Sequence, residues 1–165
     1  MGRTLLLFLS FSLLACEKDQ EPESHSPPSF SYRFNEGQNE LKTAYTGDHP
    51  RDLRAEMQLL EGDSGGTRIR ITFSNTLEGE TYAVHAHDYD ADSTIGLPYE
   101  FSVNTAVLNQ NPVGRTGTLE IEQHSDSSVA YFENRYQGYL VVHDPLQPVQ
   151  TKKPSSFLIL GRFAR

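Results

Sequence analysis

The stretch TYAVHAHDYD (residues 81–90) carries the most informative pattern of this chain. Side chains alternate between the two faces of a β-strand, so Val84 and Ala86 share one face while His85 and His87 share the other. The apolar face is expected to contact a core. The two imidazoles are then expected to point away from that core, side by side on one strand.

The rest of the chain after residue 30 also follows a two-residue period, and no stretch shows a convincing helical period. The predicted strands are SYRF (31–34), TRIRITFSN (67–75), TYAVHAHD (81–88), GTLEIEQ (117–123), VAYFENRY (129–136), YLVVHD (139–144) and SSFLILGRF (155–163). The segment DLRAEMQLL (52–60) fits either a strand or a helix. Short strands between turns that contain Gly and Pro predict an all-β antiparallel sandwich or Greek-key barrel in one domain.

The inward positions of these strands predict the core. They are Ile69, Ile71, Phe73, Tyr82, Val84, Leu119, Ile121, Leu140, Val142, Leu158 and Leu160. The last strand admits two registers, because Phe157 and Ile159 fit its inward face almost as well as Leu158 and Leu160 do.

Length and charge exclude several classes of protein. The 165 residues suffice for one domain with a core, and the formal net charge of -8 argues against nucleic acid as a partner, because phosphate binding needs a basic surface. Cys16 is the only cysteine, so an intramolecular disulfide is impossible.

The N-terminal residues are expected to lie outside the fold. A positive start at Arg3 and an apolar run over residues 4–14 have the form of a signal peptide, and LLAC, ending at Cys16, resembles the lipobox of bacterial lipoproteins. The resemblance implies cleavage before Cys16 and lipidation of its sulfur; the alternative is an ordinary secretory signal with a chance cysteine. The predicted organisation is a signal peptide (1–15), a lipidated cysteine with a disordered acidic linker (16–30) and a β-domain (31–165).

The expected location is the bacterial cell envelope, with the membrane as a partner through the lipid anchor. The acidic run that follows Cys16 also resembles the surface-export signal of Bacteroidetes lipoproteins, which favours the outer membrane or the cell surface.

A third histidine shares the parity of the first two. In YLVVHD, Leu140 and Val142 are expected to face the core, and His143 lies on the opposite face. If the two strands are neighbours, His85, His87 and His143 meet on the outer wall of the barrel, where imidazoles favour copper or zinc. The alternative is that these are ordinary histidines on a solvated strand face.

The same segments resemble the Cu,Zn superoxide dismutase family. TRIRITFSNTLEGETYAVHAHDYD (67–90) is similar to its strand, Glu-Gly turn and His-x-His strand, GRTGTLEI (114–121) to its Gly-Asp-Leu-Gly-Asn-Val segment, and YQGYLVVHDP (136–145) to the strand of its last copper histidine. FLILGRF (157–163) resembles the closing strand. The resemblance implies a Greek-key barrel of the Cu,Zn superoxide dismutase type. Chordin-type domains, which share a similar His-x-His strand, are the nearest competing resemblance.

Carried over residue by residue, the resemblance gives half of the family's metal site. His85 and His87 match the paired copper ligands, and His143 matches the last one. The zinc ligands are absent, because residues 88–123 hold no histidine and the family's aspartate falls on Arg115. Copper without zinc is therefore the expected cofactor, and dismutase activity is in doubt.

The family's active-site arginine has no secure counterpart. Phe157 occupies its place in the preferred register, and Arg162 reaches it only if the strand slides. No catalytic residue is assigned.

Two other residues are candidates for the site or its surroundings, and two further histidines are not. His124 is a possible additional ligand, and Asp88 is a possible hydrogen-bond acceptor for a ligand imidazole. His25 and His49 lie in polar segments and are expected to be exposed. An EF-hand reading of residues 88–99 fails, because the sixth position is not Gly and the twelfth is not Glu.

Three functions stay open at this level. The chain is a copper oxidoreductase of the dismutase type acting on superoxide, a non-catalytic copper- or zinc-binding lipoprotein, or a surface interaction module that kept only the fold. Lys152, Lys153 and Arg115 are the candidate positive charges that would guide an anionic substrate.

The anchor is directly testable. Cys16→Ser is expected to release the protein from the membrane fraction, because the acidic segment that follows has nothing apolar to hold it there. Fractionation of cells that express either form measures this. Unchanged membrane association of the variant would contradict the lipoprotein reading.

Overall fold

The computed structural model describes residues 26–36, 41, 44–93 and 96–164. Their secondary structure is almost entirely β. The elements are β1 (Ser29–Arg33), β2 (Arg54–Glu61), β3 (Thr67–Ser74), β4 (Val84–Tyr89), β5 (Tyr99–Val103), β6 (Asn109–Gln110), β7 (Thr118–Ser125), α1 (Val129–Asn134), β8 (Gln137–His143) and β9 (Phe157–Ala164), with a 3₁₀ turn at Pro154–Ser156. The described part holds no helix with the length and hydropathy that crossing a bilayer would need.

The strands form two antiparallel sheets that face each other. The first sheet has the order β1-β2-β3-β7, and the second has the order β5-β4-β8-β9 with β6 also beside β4. The predicted all-β sandwich is confirmed, and the ambiguous segment 52–60 contains strand β2.

The main core lies between the two sheets. Strand β3 alternates strictly, with Ile69, Ile71 and Phe73 buried and their neighbours half-buried. Each fully buried apolar side chain of this size contributes about 1.5–3 kcal/mol relative to exposure. All the predicted core positions are buried except Ile121, which is partly buried against the core.

The sheets are also joined along their sides. The turn after β1 bonds to β9 through Asn35 N–H to the Leu158 carbonyl, at 2.7 Å, and through Leu160 N–H to the Glu36 carbonyl, at 3.1 Å. On the opposite side, the Gln123 carboxamide accepts the Asn109 N–H at 2.8 Å. These bonds hold the two sheets in a fixed relation.

The prediction of a strand over residues 129–136 was wrong, because this segment forms helix α1. Ser128 caps it by accepting the Tyr131 N–H at 3.2 Å, and Val129 and Phe132 bury one face at the spacing of a helix. A polar cap followed by two apolar residues three apart was the local signal.

A bulge in the last strand changes which of its residues face the core, so each of the two predicted registers is correct for part of the strand. A β-bulge lies where Val142 pairs with Ile159 and His143 pairs with Phe157, so Leu158 is the extra residue. Leu158 and Ile159 join the main core, whereas Phe157 and Leu160 pack on the other face of the sheet.

The N-terminal boundary is close to the expected one. Strand β1 begins at Ser29, two residues before the predicted start of the domain at residue 31. Cys16, the predicted signal peptide and residues 16–25 of the predicted linker lie outside the described residues.

Candidate metal centre

Strand β4 is central in the second sheet and positions two of the three candidate histidines. It pairs with β8 so that His85 stands opposite Val141 and His87 opposite Tyr139. His143, at the end of β8, has the parity of Tyr139 and Val141 and lies on the same face of the sheet. The structure therefore brings His85, His87 and His143 together.

That face is not solvated, which corrects the expectation of an outer wall open to water. His85 is 5% exposed, His87 0% and His143 1%. Five buried side chains cover them and form what we call the outer cluster. Its members are Tyr99, Tyr139, Val141, Phe157 and Leu160.

Part of this cover comes from a strand that the local pattern did not predict, and part comes from the bulge of a predicted strand. Tyr99 arrives on β5, which was missed although Tyr99, Phe101 and Val103 alternate with polar residues. Phe157 and Leu160 arrive through the bulge of β9. Strand β4 is therefore buried on both faces.

The three imidazoles touch one another edge to face. The ring centroids of His85 and His87 are 5.1 Å apart with planes at 89°, and those of His85 and His143 are 4.7 Å apart at 74°. Phe157 packs on the His143 ring at 4.7 Å, and Tyr99 packs on the His87 ring at 5.2 Å.

Four nitrogens of these rings are buried without a hydrogen-bond partner. They are Nε2 of His85, Nε2 of His87, and both Nδ1 and Nε2 of His143. Only two other buried side-chain atoms among the described residues share this condition, Oδ1 of Asn35 and Oγ of Ser93. A buried polar group without a partner costs roughly 1–3 kcal/mol, so this cluster is a local source of instability in the metal-free protein.

The remaining ring nitrogen of His87 fixes its tautomer. Nδ1 lies 2.8 Å from the Glu100 carbonyl oxygen and 3.1 Å from that of Ser102, and a bond to a carbonyl requires that Nδ1 carry the proton. Nε2 then keeps a free lone pair in the cluster. Histidines that bind metals usually donate their other ring N–H to such a carbonyl, which fixes the tautomer and the orientation of the ring.

Burial keeps the three imidazoles neutral. Burial first, and then the neighbouring His87, lower the pKa of His85 to about 4. Burial, followed by His85 and His87, lowers the pKa of His143 to about 3. Burial also lowers the pKa of His87, although its bonds to the Glu100 and Ser102 carbonyls oppose the shift. Neutral imidazole is the form that binds metals.

The cluster offers ligand atoms without yet forming a finished coordination site. Within the described residues, no group of three or more His, Cys, Asp or Glu side chains is arranged to hold a metal ion. Imidazole nitrogen is nevertheless a ligand that copper and zinc favour.

His124 does not join the cluster. It lies on β7 in the first sheet, half-exposed, with Nε2 3.4 Å from Oδ1 of Asp126. A role as an additional ligand is therefore not supported by its position.

Asp88 does not accept a hydrogen bond from a histidine, as the sequence had suggested. Its Oδ1 accepts bonds from Asn104 Nδ2 at 2.7 Å and from the Tyr136 hydroxyl at 2.9 Å. The expected acceptor role belongs to the carbonyl of Glu100. Asp88 instead ties β4 to the residues that follow β5 and α1.

His49 is buried, which corrects the prediction that it is exposed. Its Nδ1 bonds to the Pro50 carbonyl at 2.7 Å and its Nε2 to the Tyr82 hydroxyl at 2.8 Å. Both ring nitrogens are satisfied, in contrast with His143. His25 lies outside the described residues.

The positively charged residues that were predicted to guide an anionic substrate do not lie together. Lys152 lies 4.5 Å above the Phe101 ring, near the outer cluster, whereas Arg115 donates to the Thr118 carbonyl beside the first sheet. Arg162 donates to the Tyr139 hydroxyl at 2.8 Å. Phe157, which the preferred register puts in the place of the family's arginine, packs directly on His143.

Comparison of the chain with protein-family models, curated proteins and solved structures finds no significant match.

Removing the unpaired nitrogens is expected to stabilise the metal-free protein. His143→Leu replaces two unsatisfied polar atoms by apolar ones of similar volume and should raise the free energy of unfolding by about 1–2 kcal/mol. Urea denaturation in the presence of a chelator measures the change.

The matched control is His49→Leu. Both nitrogens of His49 are bonded, and its loss leaves the proton of the Tyr82 hydroxyl without its acceptor, so this variant should lose about 1–3 kcal/mol. Equal destabilisation by the two substitutions would contradict the assignment of unpaired nitrogens.

Acid is expected to destabilise the metal-free protein over a defined window. Unfolded histidines take up protons near pH 6.5, whereas folded His85 and His143 resist protonation until about pH 4 and 3. The unfolded state therefore binds more protons between those values. The free energy of unfolding should fall by about 1 kcal/mol per pH unit for each of these two histidines as pH drops from 6 to 4.5.

Urea denaturation across this pH range tests the expectation. The His143→Leu variant should show a visibly shallower slope, because one of the two histidines is gone. The same slope in both proteins would mean that other groups cause the acid sensitivity.

Proposed function

We propose that this chain binds one copper ion through His85, His87 and His143, as an exported and lipid-anchored protein of the bacterial cell envelope. The observation that carries the proposal is the set of four unpartnered imidazole nitrogens in one buried cluster. A protein interior rarely leaves such atoms unsatisfied, and a metal ion would give them a partner.

The donor set supports copper over zinc. Structural zinc sites close with four ligands, whereas the cluster brings three histidine rings together in the described part of the chain. Imidazole suits copper, and copper leads the affinity order for divalent metals. When bound, copper supplies one-electron redox chemistry.

The surroundings support a protected ion. Tyr99 and Phe157 pack on the rings and exclude water, and the carbonyl of Glu100 orients His87. These residues of the chain hold the ligands and shield them, which suits storage or delivery of a metal as well as reaction.

Superoxide dismutation is the second candidate, favoured by the resemblance of residues 67–165 to the dismutase family. In the first sheet β1, β2 and β3 follow one another, and the chain then crosses to the second sheet and returns at β7, next to β3. A four-strand Greek key within that sheet would put the returning strand beside β1, so the strand order of this sheet does not add to the resemblance. The burial of all three histidines argues for the non-catalytic alternative.

Metal analysis tests the proposal. Full-length protein stripped by a chelator should take up one equivalent of copper, and the His143→Leu variant should take up none. Copper at 100 times its dissociation constant should also stabilise the wild-type chain by about 2.7 kcal/mol.

His124→Gln is the matched control, because His124 is exposed and outside the cluster. It should bind copper as the wild type does. One tight equivalent of copper in His143→Leu would refute the site, and preferential uptake of zinc would refute the choice of metal.

A superoxide assay on the copper-loaded protein then separates the two candidates. Dismutation by the wild-type chain that is absent in His143→Leu would establish the catalytic reading. Stoichiometric copper without dismutation would establish a metal-binding lipoprotein.

A further inference from the structure

The outer face of the first sheet places two arginines directly opposite each other. Arg33 on β1 pairs with Arg54 on β2, and both side chains are exposed on the same face. Like charges in directly opposite positions of an antiparallel pair are destabilising. The chain as a whole has a net charge of -8 and therefore more carboxylates than cations, yet neither of these two paired positions holds a carboxylate.

Other arginines on this same face are paired. Arg70 lies opposite Glu122 and bonds to it at 3.1 Å, and Arg68 lies 3.7 Å from the same carboxylate. In contrast, none of the ion pairs found among the described residues involves Arg33 or Arg54. On this one sheet face, Arg68 and Arg70 therefore lie beside a carboxylate that pairs with them, whereas Arg33 and Arg54 have no such pair among the described residues.

A third arginine adjoins the pair. The Arg51 guanidinium lies 5.9 Å from the Phe34 ring centroid and 5.7 Å from that of Tyr45, and in the described part of the chain it too has no ion pair. Contacts with two aromatic faces restrict its motion and hold the charge in place.

Two concavities meet at Arg33 and Arg54. One, of about 290 Å³, is lined by both arginines and by the hydroxyl-bearing residues Ser31, Thr72 and Ser74. The other, of about 280 Å³, is lined by the same two arginines together with Arg51. Guanidinium groups with hydroxyls around a small concavity are the donors that a tetrahedral oxyanion needs.

Three carboxylates lie nearby without forming an ion pair with this group among the described residues. Glu36 accepts the Arg33 backbone N–H at 2.7 Å. Asp52 and Glu56 line the concavities, and neither they nor Glu36 form an ion pair with an arginine among the described residues.

We propose that Arg33, Arg51 and Arg54 form a binding site for a phosphate group, on the opposite sheet from the histidine cluster and independent of any metal. A bound phosphate would remove the repulsion between Arg33 and Arg54 and accept bidentate bonds from their planar forks. The surrounding negative charge makes nonspecific attraction of anions weak, so occupancy depends on this local geometry.

The phosphate can belong to a lipid headgroup or to a soluble molecule. Strand β1 starts 13 residues after Cys16, and a chain of that length reaches at most about 45 Å. If Cys16 is lipidated, Arg33 is held close to the membrane surface, where headgroup phosphates are concentrated.

Titration with inorganic phosphate tests the site. Full-length protein at constant ionic strength should show saturable shifts of the arginine Nε–Hε NMR signals with millimolar or tighter affinity. Arg33→Gln/Arg54→Gln should lower the affinity at least tenfold. Arg68→Gln, which removes an arginine that is already paired on the same face, should bind as the wild type does. Linear shifts without saturation, or equal loss in both variants, would overturn the proposal.

Vesicles identify the source of the phosphate. Cosedimentation of Cys16→Ser protein with phosphatidylglycerol vesicles, and its loss in the double arginine variant, would assign a headgroup. Phosphate binding without vesicle binding would assign a soluble phosphate compound.

Thermal unfolding gives a readout that needs no ligand. In phosphate-free buffer, Arg54→Gln should raise the melting temperature by about 1–3 °C, because it removes the unfavourable pair. Added phosphate should stabilise the wild-type chain and not this variant. A lower melting temperature for Arg54→Gln without phosphate would overturn the account of the pair.

Discussion

Burial of strand β4 on both faces is the constraint on which the rest of this structure depends. Val84 and Ala86 face the core between the sheets, and His85 and His87 face the outer cluster. A strand that is polar on one side normally leaves that side in water. Here the imidazoles have been taken out of water, so every ring nitrogen needs a partner or costs stability. The lowered pKa values, the unpaired nitrogens and the proposed metal all follow from that burial.

Local pattern predicted most of the strands and the correct face for all three histidines. Alternation is a property of the backbone, so the parity of His85, His87 and His143 can be read from their neighbours. Burial is different, because it depends on what packs against the strand from elsewhere in the chain. Tyr99 packs on His87 from 12 residues further along the chain, and Phe157 packs on His143 from 14 residues further along. No local period reports such contacts.

The errors at α1 and β9 have different origins. Residues 129–134 can alternate like a strand, and the Ser128 cap together with the burial of Val129 and Phe132 decides for a helix. In β9, all four residues from Phe157 to Leu160 are apolar, so the sequence could not choose a register. The bulge opposite His143 resolves the choice by sending Phe157 and Leu160 to one face and Leu158 and Ile159 to the other.

The same burial restricts how a ligand reaches the histidines. Phe157 lies against His143, and Tyr99 lies against His87 with its hydroxyl donating to the Thr151 carbonyl at 3.1 Å. An ion or small substrate that approaches His143 or His87 from this side must displace Phe157 or Tyr99. Such a cover slows exchange in both directions, since leaving needs the same displacement as entering. Slow exchange suits a protein that retains a metal and limits one that must admit substrate at every turnover. The position of Phe157 therefore favours metal retention over catalysis more than the identity of the three ligands does.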